Sequence, residues 1–321
     1  MKEPHSDKNG LSLGHQAASS VVLPDLELLS HPLPWRQGQR NALALLAFAG
    51  LCAWFWAPLV KLFTLTLENT HFDYVLLIPA LTCYLLFMNR TTILTSHAWS
   101  PTVGLLVMAG GSVCYWFAIG QDWTQDRLAV EILTFVVMCW GLFLFGFGVG
   151  CFRKDLFALV MLLFMVPLPT VFLDAITNFL QRSSADAVDV LFLILDIPVV
   201  RERFIFTLSN FSIFISEECS GVRSFLALII TSLVAGHWFL TSGWSKTALV
   251  VVVVPLAIIK NAFRIVGLAL LANYVDPIFI TDSALHRSGG IPLFLFSLVV
   301  LFSIVLILRR YERRPDSMMI Q

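Results

Sequence analysis

The stretch Ile215-Ser216-Glu217-Glu218-Cys219-Ser220-Gly221-Val222-Arg223-Ser224 is a compact group of polar side chains in a strongly apolar chain. It brings together two carboxylates, a thiol, hydroxyls, a glycine and an arginine. The apolar residues 225–230 follow it directly and begin a long hydrophobic run. The sequence therefore predicts a single cysteine at the mouth of a membrane helix.

The composition is typical of a polytopic membrane protein. Of the 321 residues, 58% are hydrophobic and 13% are charged. Soluble domains are usually about 45–50% apolar and about 25% charged. The formal net charge is zero, so it indicates no class of partner. The apolar composition favours membrane lipid as a contact of the chain, and we predict no binding of nucleic acid.

The apolar runs predict about eight transmembrane helices in an all-α membrane protein, because a bilayer core needs about 20 apolar residues per helix. The second run is short and contains Pro79, and the seventh is long and contains Lys260, Asn261 and Arg264. The predicted spans are residues 41–63, 74–89, 102–119, 128–149, 156–173, 224–241, 248–273 and 290–308.

These spans divide the chain into a polar tail (1–40), a transmembrane domain (41–308) and a basic tail (309–321). Short loops rich in Lys and Arg usually face the cytoplasm. With eight spans, both tails and most of the Lys- and Arg-containing loops fall on one side. The exception is the 174–223 loop, which contains Arg182, Arg201, Arg203 and Arg223. We therefore expect both termini to be cytoplasmic.

The segment between the predicted fifth and sixth helices should lie at the outer face. Residues 174–195 show polar and apolar positions at helical spacing, with Gln181 and Ala185 on the polar face. This pattern predicts an amphipathic helix at the membrane interface. Residues 204–208 and 211–215 read as two extended pieces around Ser209-Asn210, which predicts a short hairpin.

Three chemically useful residues converge at this outer face in the predicted topology. Cys219 lies at the outer end of the sixth helix, and His286 lies in the outer loop before the eighth. Arg264 lies about 17 residues into the seventh helix, about 25 Å of rise from its inner end.

This trio is suited to acyl transfer. A cysteine thiolate attacks an amide carbonyl and forms a thioester, and it needs a nearby base or cation because the free thiol has a pKa of about 8.5. His286 is the predicted acid and base, and Arg264 is the predicted oxyanion stabiliser. Asn261, one turn before Arg264, is a further hydrogen-bond donor for the site.

Other residues compete for these roles. His71 and His237 are rival histidines, although His237 belongs to the inner half of the sixth helix. The five other cysteines lie in or beside apolar runs and are interpreted as packing residues. No metal or nucleotide motif is present, so we predict neither a metal site nor a cofactor.

The residues alone leave three hypotheses open. The first is a cysteine transpeptidase or protease that acts on membrane-anchored proteins. The second is a non-enzymatic transporter or polysaccharide-export component, which would explain the charged Lys260 and Arg264 in an apolar helix. The third is a membrane acyltransferase that depends on His286 but not on Cys219.

Several motifs together resemble the exosortase/archaeosortase family over about residues 70 to 308. Glu218-Cys219-Ser220-Gly221-Val222-Arg223-Ser224 resembles its cysteine motif. Phe164-Met165-Val166-Pro167-Leu168-Pro169 resembles its Met-Ile-Pro-Leu-Pro element, and Leu180-Gln181 and Ile197-Pro198-Val199 fall where the family has similar stretches. Asn261-Ala262-Phe263-Arg264 resembles its Asn-x-x-Arg motif, and His286 followed by Gly290 resembles its His-x-x-x-Gly motif.

The resemblance implies a multi-pass cysteine transpeptidase or protease of the bacterial inner membrane. Its expected partner is the C-terminal PEP-CTERM-like sorting signal of membrane-anchored proteins, cleaved at the outer, periplasmic face. Cys219 is then the nucleophile, Arg264 the oxyanion or substrate-orienting group, and His286 the acid and base. The residues that we assign as substrate-binding or supporting are Glu218, Ser220, Arg223 and Asn261.

Two positions depart from the family pattern. Asp196 stands where the family often has glycine before Ile-Pro, and Glu217 stands where a small or apolar residue is more usual. Neither position carries one of the three chemical roles.

Overall fold

The structure is a computed structural model that describes residues 34–68, 74–95, 100–119, 126–208, 212–216, 220–275 and 290–313. Within these residues the chain is mainly helical, with one small sheet. The helices are α1 (Pro34–Trp54), α2 (Trp56–Glu68), α3 (Leu77–Met88), α4 (Arg90–Thr95), α5 (Pro101–Ile119), α6 (Arg127–Lys154), α7 (Leu156–Met161, continued by a 3-10 turn Leu162–Met165), α8 (Thr170–Ile194), α9 (Val222–Phe239), α10 (Gly243–Tyr274) and α11 (Gly290–Arg313). The strands are β1 (Val200–Glu202), β2 (Ile205–Thr207) and β3 (Ser212–Phe214).

Four of the described helices are long and apolar enough to cross a membrane, namely α6, α9, α10 and α11. Two bent helix pairs raise the number to six if each pair is one span. Two further helical stretches, Tyr74–Met88 and Pro101–Trp116, are apolar but shorter. A membrane protein is thus confirmed, whereas the predicted number of about eight spans is not.

The predicted first span, 41–63, is not one straight helix. The chain bends by 67° between Gly38–Trp54 and Trp56–Leu67. Pro58 follows the bend by two residues. Proline has no backbone N–H, so it cannot continue the hydrogen-bond ladder of a helix but is tolerated in its first turn.

The predicted fifth span, 156–173, is broken as well, and this break orients α8. Leu156–Met165 meets Thr170–Ile194 at 88°, and Pro167 and Pro169 lie in the break. Asp126 accepts hydrogen bonds from the Thr170 backbone N–H (2.9 Å) and hydroxyl (3.3 Å) at the start of α8. A carboxylate at this position satisfies a free N–H group and suits the positive end of the helix dipole.

The amphipathic helix predicted at 174–195 is therefore the greater part of α8, which starts four residues earlier. Its buried stripe includes Gln181 and Ala185, which the sequence placed on the polar face. The stripe packs against α10, whose buried Ala262, Ile265 and Ala269 join the same apolar cluster. That α8 lies in the membrane interface stays a prediction.

The predicted hairpin is present as part of a three-stranded antiparallel sheet, and the rest of the described chain is mainly helical, as predicted. Strand β2 pairs with β3 as expected, with Phe206 opposite Ile213, and also with β1, which the sequence analysis missed. The predicted Ser209-Asn210 turn lies outside the described residues.

Two ion pairs connect this sheet to α8. Arg201 of β1 donates to Asp186 (2.6 Å) and Asp189 (3.3 Å). Burial opposes the charge of Arg201, but the bonds and charges of these two carboxylates raise its pKa above the ordinary value.

The last three helices run alternately up and down. A short connection joins α9 to α10, and Glu312 near the end of α11 accepts hydrogen bonds there from the backbone N–H groups of Thr241 (2.9 Å) and Ser242 (3.0 Å). The 24 residues of α11 rise about 36 Å. Its first residue, Gly290, therefore lies at the other end of the helix pair, where α9 begins.

Candidate active site

The start of α9 and the second half of α10 come together at one end of the helix group. Lys260 and Asn261 of α10 are buried, with 6% and 1% of their surface exposed. They contact residues 221–224, which immediately follow the cysteine motif. The structure thus brings two of the sequence motifs, the cysteine motif and Asn-x-x-Arg, into direct contact.

Gly221 makes the closest approach between these motifs. A Cβ atom built at this residue would lie 3.1 Å from both Cγ and Oδ1 of Asn261, tighter than ordinary van der Waals contact. Gly221 also has φ +79°, a left-handed conformation that glycine adopts without steric cost. Both the backbone conformation and the space therefore require glycine directly before α9.

Asn261 is fixed on its other side by α8. Its Nδ2 donates a hydrogen bond to the hydroxyl oxygen of Ser184 over 3.1 Å, and Ser184 is fully buried. An amide that packs against Gly221 and bonds to Ser184 has a defined orientation. Asn261 therefore links α8, α9 and α10, which accounts for its place among the predicted supporting residues.

Gln181 holds the chain on the other side of the cysteine. Its Nε2 donates to the backbone carbonyl oxygen of Ile215 over 2.6 Å, and only 4% of Gln181 is exposed. Ile215 follows β3 directly. Gln181 and Ser184 are three residues apart on the buried stripe of α8, so one helix face holds both Ile215 and Asn261.

A third contact involves Lys260. Its Nζ donates to the hydroxyl of Ser224, which in turn donates to the carbonyl oxygen of Gly221 over 2.9 Å. No carboxylate among the described residues forms an ion pair with Lys260. The hydroxyl group of Ser224 thus connects the buried ammonium group to the carbonyl of Gly221.

Ser220, a predicted supporting residue, is also buried, with 2% of its surface exposed. Its hydroxyl oxygen has no hydrogen-bond partner within the described ranges. A buried hydroxyl without a partner costs about 1–3 kcal/mol.

The two predicted arginines differ in exposure. Arg264 is half-buried in α10, one turn beyond Lys260, and Arg223 is exposed in the first turn of α9. Both therefore belong to the same end of the helix group as Gly221 and Asn261. Arg264 follows Lys260 by four residues, so the two side chains lie on one helix face.

Cys219, Glu218 and His286 lie outside the described residues. Cys219 and Glu218 belong to the three residues between Ser216 and Ser220 in the sequence. Before this interval Gln181 contacts Ile215, and after it Asn261 contacts Gly221. His286 precedes Gly290, the start of α11, by four residues. The rival His237 lies near the far end of α9, where its ring stacks on Phe157 at 3.9 Å. The other rival, His71, is also outside the described residues.

Three positioning side chains were not predicted from the sequence. Ser184 resembles any small residue on a helix, and Gln181 was assigned to the polar face of α8 and to a motif but not to the site. Lys260 was visible as a charge in an apolar helix, a placement that is costly and usually has a function. Within the described ranges, no group of three or more His, Cys, Asp and Glu could hold a metal ion.

Comparison with known proteins supplies one match. The family model of the transmembrane exosortases matches residues 66–303, about three quarters of the chain. The matched range includes the α8, α9 and α10 contacts described above. No curated protein and no solved structure matches the chain.

Proposed function

Because this chain belongs to the transmembrane exosortase family, we propose that it is a membrane-embedded cysteine transpeptidase or protease with Cys219 as nucleophile. The observation that carries the proposal is the packing of Gly221 on Asn261. It brings the turn that follows Cys219 against the helix that carries Arg264. Two motifs about 40 residues apart in sequence thereby form one site.

The reaction has two acyl transfers. The Cys219 thiolate attacks the scissile carbonyl and forms a tetrahedral intermediate, whose oxyanion Arg264 stabilises. The C–N bond breaks, and His286 donates a proton to the leaving amine, which gives a thioester. An amine or water then attacks the thioester, His286 takes its proton, and the thiolate is released.

Residues around the trio have supporting roles. Asn261 and Gly221 fix the relative position of α9 and α10, and the buried Ser220 hydroxyl offers a hydrogen bond to the reacting carbonyl. Arg223 is exposed at the start of α9 and is the proposed contact for the polar part of a substrate. Glu218, directly before the nucleophile, completes the set of proposed supporting residues.

The proposed substrate is a membrane-anchored protein with a C-terminal PEP-CTERM-like sorting signal. Its own transmembrane helix holds the scissile bond at a fixed depth, so less orientational freedom is lost when it meets the site. We place the enzyme in the bacterial inner membrane, with both termini cytoplasmic and the site at the periplasmic face. Lys- and Arg-rich tails and loops support this orientation.

The test is to trap the acyl-enzyme. The protein is expressed with a tagged substrate that carries a C-terminal sorting signal, and a hydroxylamine-sensitive adduct is sought by mass spectrometry. We expect the adduct to be lost in Cys219→Ala and slowed at least about a hundredfold in His286→Ala. Arg264→Lys should lower kcat by about 10²- to 10³-fold.

Cys114→Ala is the matched control, because Cys114 is an exposed cysteine of α5 away from this site. It should leave adduct formation unchanged. Normal processing by Cys219→Ala would refute the proposal. If substrate processing still required His286, the acyltransferase hypothesis would replace the proposal. If only changes at Lys260 and Arg264 abolished function, the transporter hypothesis would replace it.

A further inference from the structure

The side chain of Lys260 is the one buried charge of the described α9–α10 contact that the proposed reaction does not use. It is an ammonium group with 6% of the residue exposed, in the helix with the longest apolar run of the site. An ionised side chain at such a place is costly unless it has a partner or a task. Its hydrogen-bond partner is the neutral hydroxyl of Ser224.

The hydrogen bonds give Lys260 a route to the nucleophile segment. The Ser224 hydroxyl that it contacts donates to the carbonyl of Gly221, two residues after Cys219. Asn261, the next residue of α10, packs against Gly221 itself. Adjacent residues of α10 thus hold two points of the same turn.

We infer that Lys260 is a positioning residue of this site, which acts through Ser224 to fix the turn at Gly221 and supplies a positive charge beside the cysteine segment. The inference rests on the proposed role of Cys219. A cation near a cysteine favours the thiolate, which is the reactive form. The other charged groups that the described residues place at this end of the helix group are Arg264 on α10 and Arg223 on α9, and Glu217 and Glu218 directly precede Cys219 in the sequence.

Asn261 and Lys260 therefore differ in what they contribute. Asn261 packs against Gly221 and fixes the backbone of this turn. Lys260 also fixes the backbone of the turn, through Ser224, and in addition supplies a positive charge. Replacing Lys260 by methionine removes both contributions while keeping the volume of the side chain. Replacing it by arginine keeps the charge, and replacing Ser224 by threonine keeps the hydroxyl.

The experiment measures thiol reactivity and turnover in the full-length protein in nanodiscs. Alkylation of the peptide that contains Cys219 by iodoacetamide, a neutral reagent, is followed by mass spectrometry at pH 7.5. We expect Lys260→Met to slow alkylation about tenfold and to lower kcat with KM within about twofold. Lys260→Arg should keep alkylation within about threefold of the wild type, Ser224→Ala should lie between, and Ser224→Thr should restore wild-type rates.

Lys246→Met is the control, because Lys246 belongs to the opposite end of α10 and should change neither readout. Wild-type alkylation in Lys260→Met would overturn the inference. Equal losses in Lys260→Met and Lys260→Arg, with equal losses of melting temperature, would overturn it in favour of a purely structural lysine. Alkylation needs no sorting substrate, so it tests Lys260 independently of the proposed function. If alkylation changes as expected while neither the wild type nor any variant processes a substrate, the inference stands and only the proposed function is refuted.

Discussion

Gln181 of α8 donates a hydrogen bond to the backbone carbonyl oxygen of Ile215 over 2.6 Å, and both residues are buried. This contact joins the end of the small sheet to α8, four residues before Cys219. Asn261 holds Gly221 two residues after it. Ile215 and Gly221, on either side of residues 217–219 in the sequence, are therefore each attached to the helix group.

Replacing Gln181 by leucine should weaken this attachment. The variant keeps most of the side-chain volume but leaves the buried carbonyl of Ile215 without its donor, which costs about 1–3 kcal/mol. We expect a lower melting temperature in detergent and a fall in kcat at temperatures where the protein remains folded. Thermal unfolding and substrate cleavage measure the two effects.

Asn178→Leu is the matched control for this change. Asn178 lies one turn earlier on α8, is exposed, and bonds only to the carbonyl of Asp174 in its own helix. Its replacement should leave kcat unchanged. Equal cleavage by Gln181→Leu and the wild type would show that the attachment of Ile215 does not position the nucleophile.

Gly221→Ala adds one methyl group and should strongly destabilise the protein. The left-handed φ of +79° costs a non-glycine residue about 1–2 kcal/mol, and the new methyl group would meet Asn261 at 3.1 Å. We expect loss of stability and of cleavage together. Asn261→Ala in the same chain should relieve the contact but not the backbone strain, so recovery should be partial.

Gly267→Ala provides the comparison. Gly267 is also in α10, but a Cβ there has no neighbour within 4 Å, and alanine is favoured over glycine in a helix by about 1 kcal/mol. This variant should be as stable as the wild type or slightly more stable. Tolerance of alanine at Gly221 as well would contradict the close approach of α9 and α10.

Ser184 and Asn261 should be energetically coupled. Their hydrogen bond of 3.1 Å is fully buried, and such bonds between membrane helices average about 0.6 kcal/mol. A double-mutant cycle with Ser184→Ala and Asn261→Ala measures the coupling. We expect about 0.5–1.5 kcal/mol, and a cycle that closes at zero would mean that the two side chains do not act together.

Much of this arrangement follows from the sequence, because apolar runs and motif order are local features. The positions of α6, α9, α10 and α11 were predicted from apolar runs, and the β2–β3 pairing from two extended pieces around a turn. The topology predicted that Arg264 and Asn261 lie at the same end of the helix group as the start of α9. Each of these predictions depends on the chain direction and not on how side chains interlock.

The remaining features depend on tertiary contacts that no local pattern carries. The direction of α8 is set by two prolines and by Asp126 from a distant helix, so a run of apolar residues could not reveal the 88° bend. Gln181 reads as a polar-face residue until the carbonyl of Ile215 lies beside it. Strand β1 is as short as β2 and β3 and was not predicted; it pairs with the edge of β2 that β3 leaves free.

Glu312 separates stability from activity, since its contacts lie at the far end of the helix group from Gly221. Its carboxylate accepts from the backbone N–H groups of Thr241 and Ser242 and from the Thr241 hydroxyl (3.0 Å). Glu312→Gln replaces one acceptor oxygen by a donor that faces these N–H groups. We expect a loss of about 0.5–2 kcal/mol, as for other helix N-terminal caps, and an unchanged kcat below the melting temperature. Arg313→Gln, on the exposed next residue, should change neither quantity; a fall in kcat of Glu312→Gln at full stability would show that this end of α11 communicates with the site.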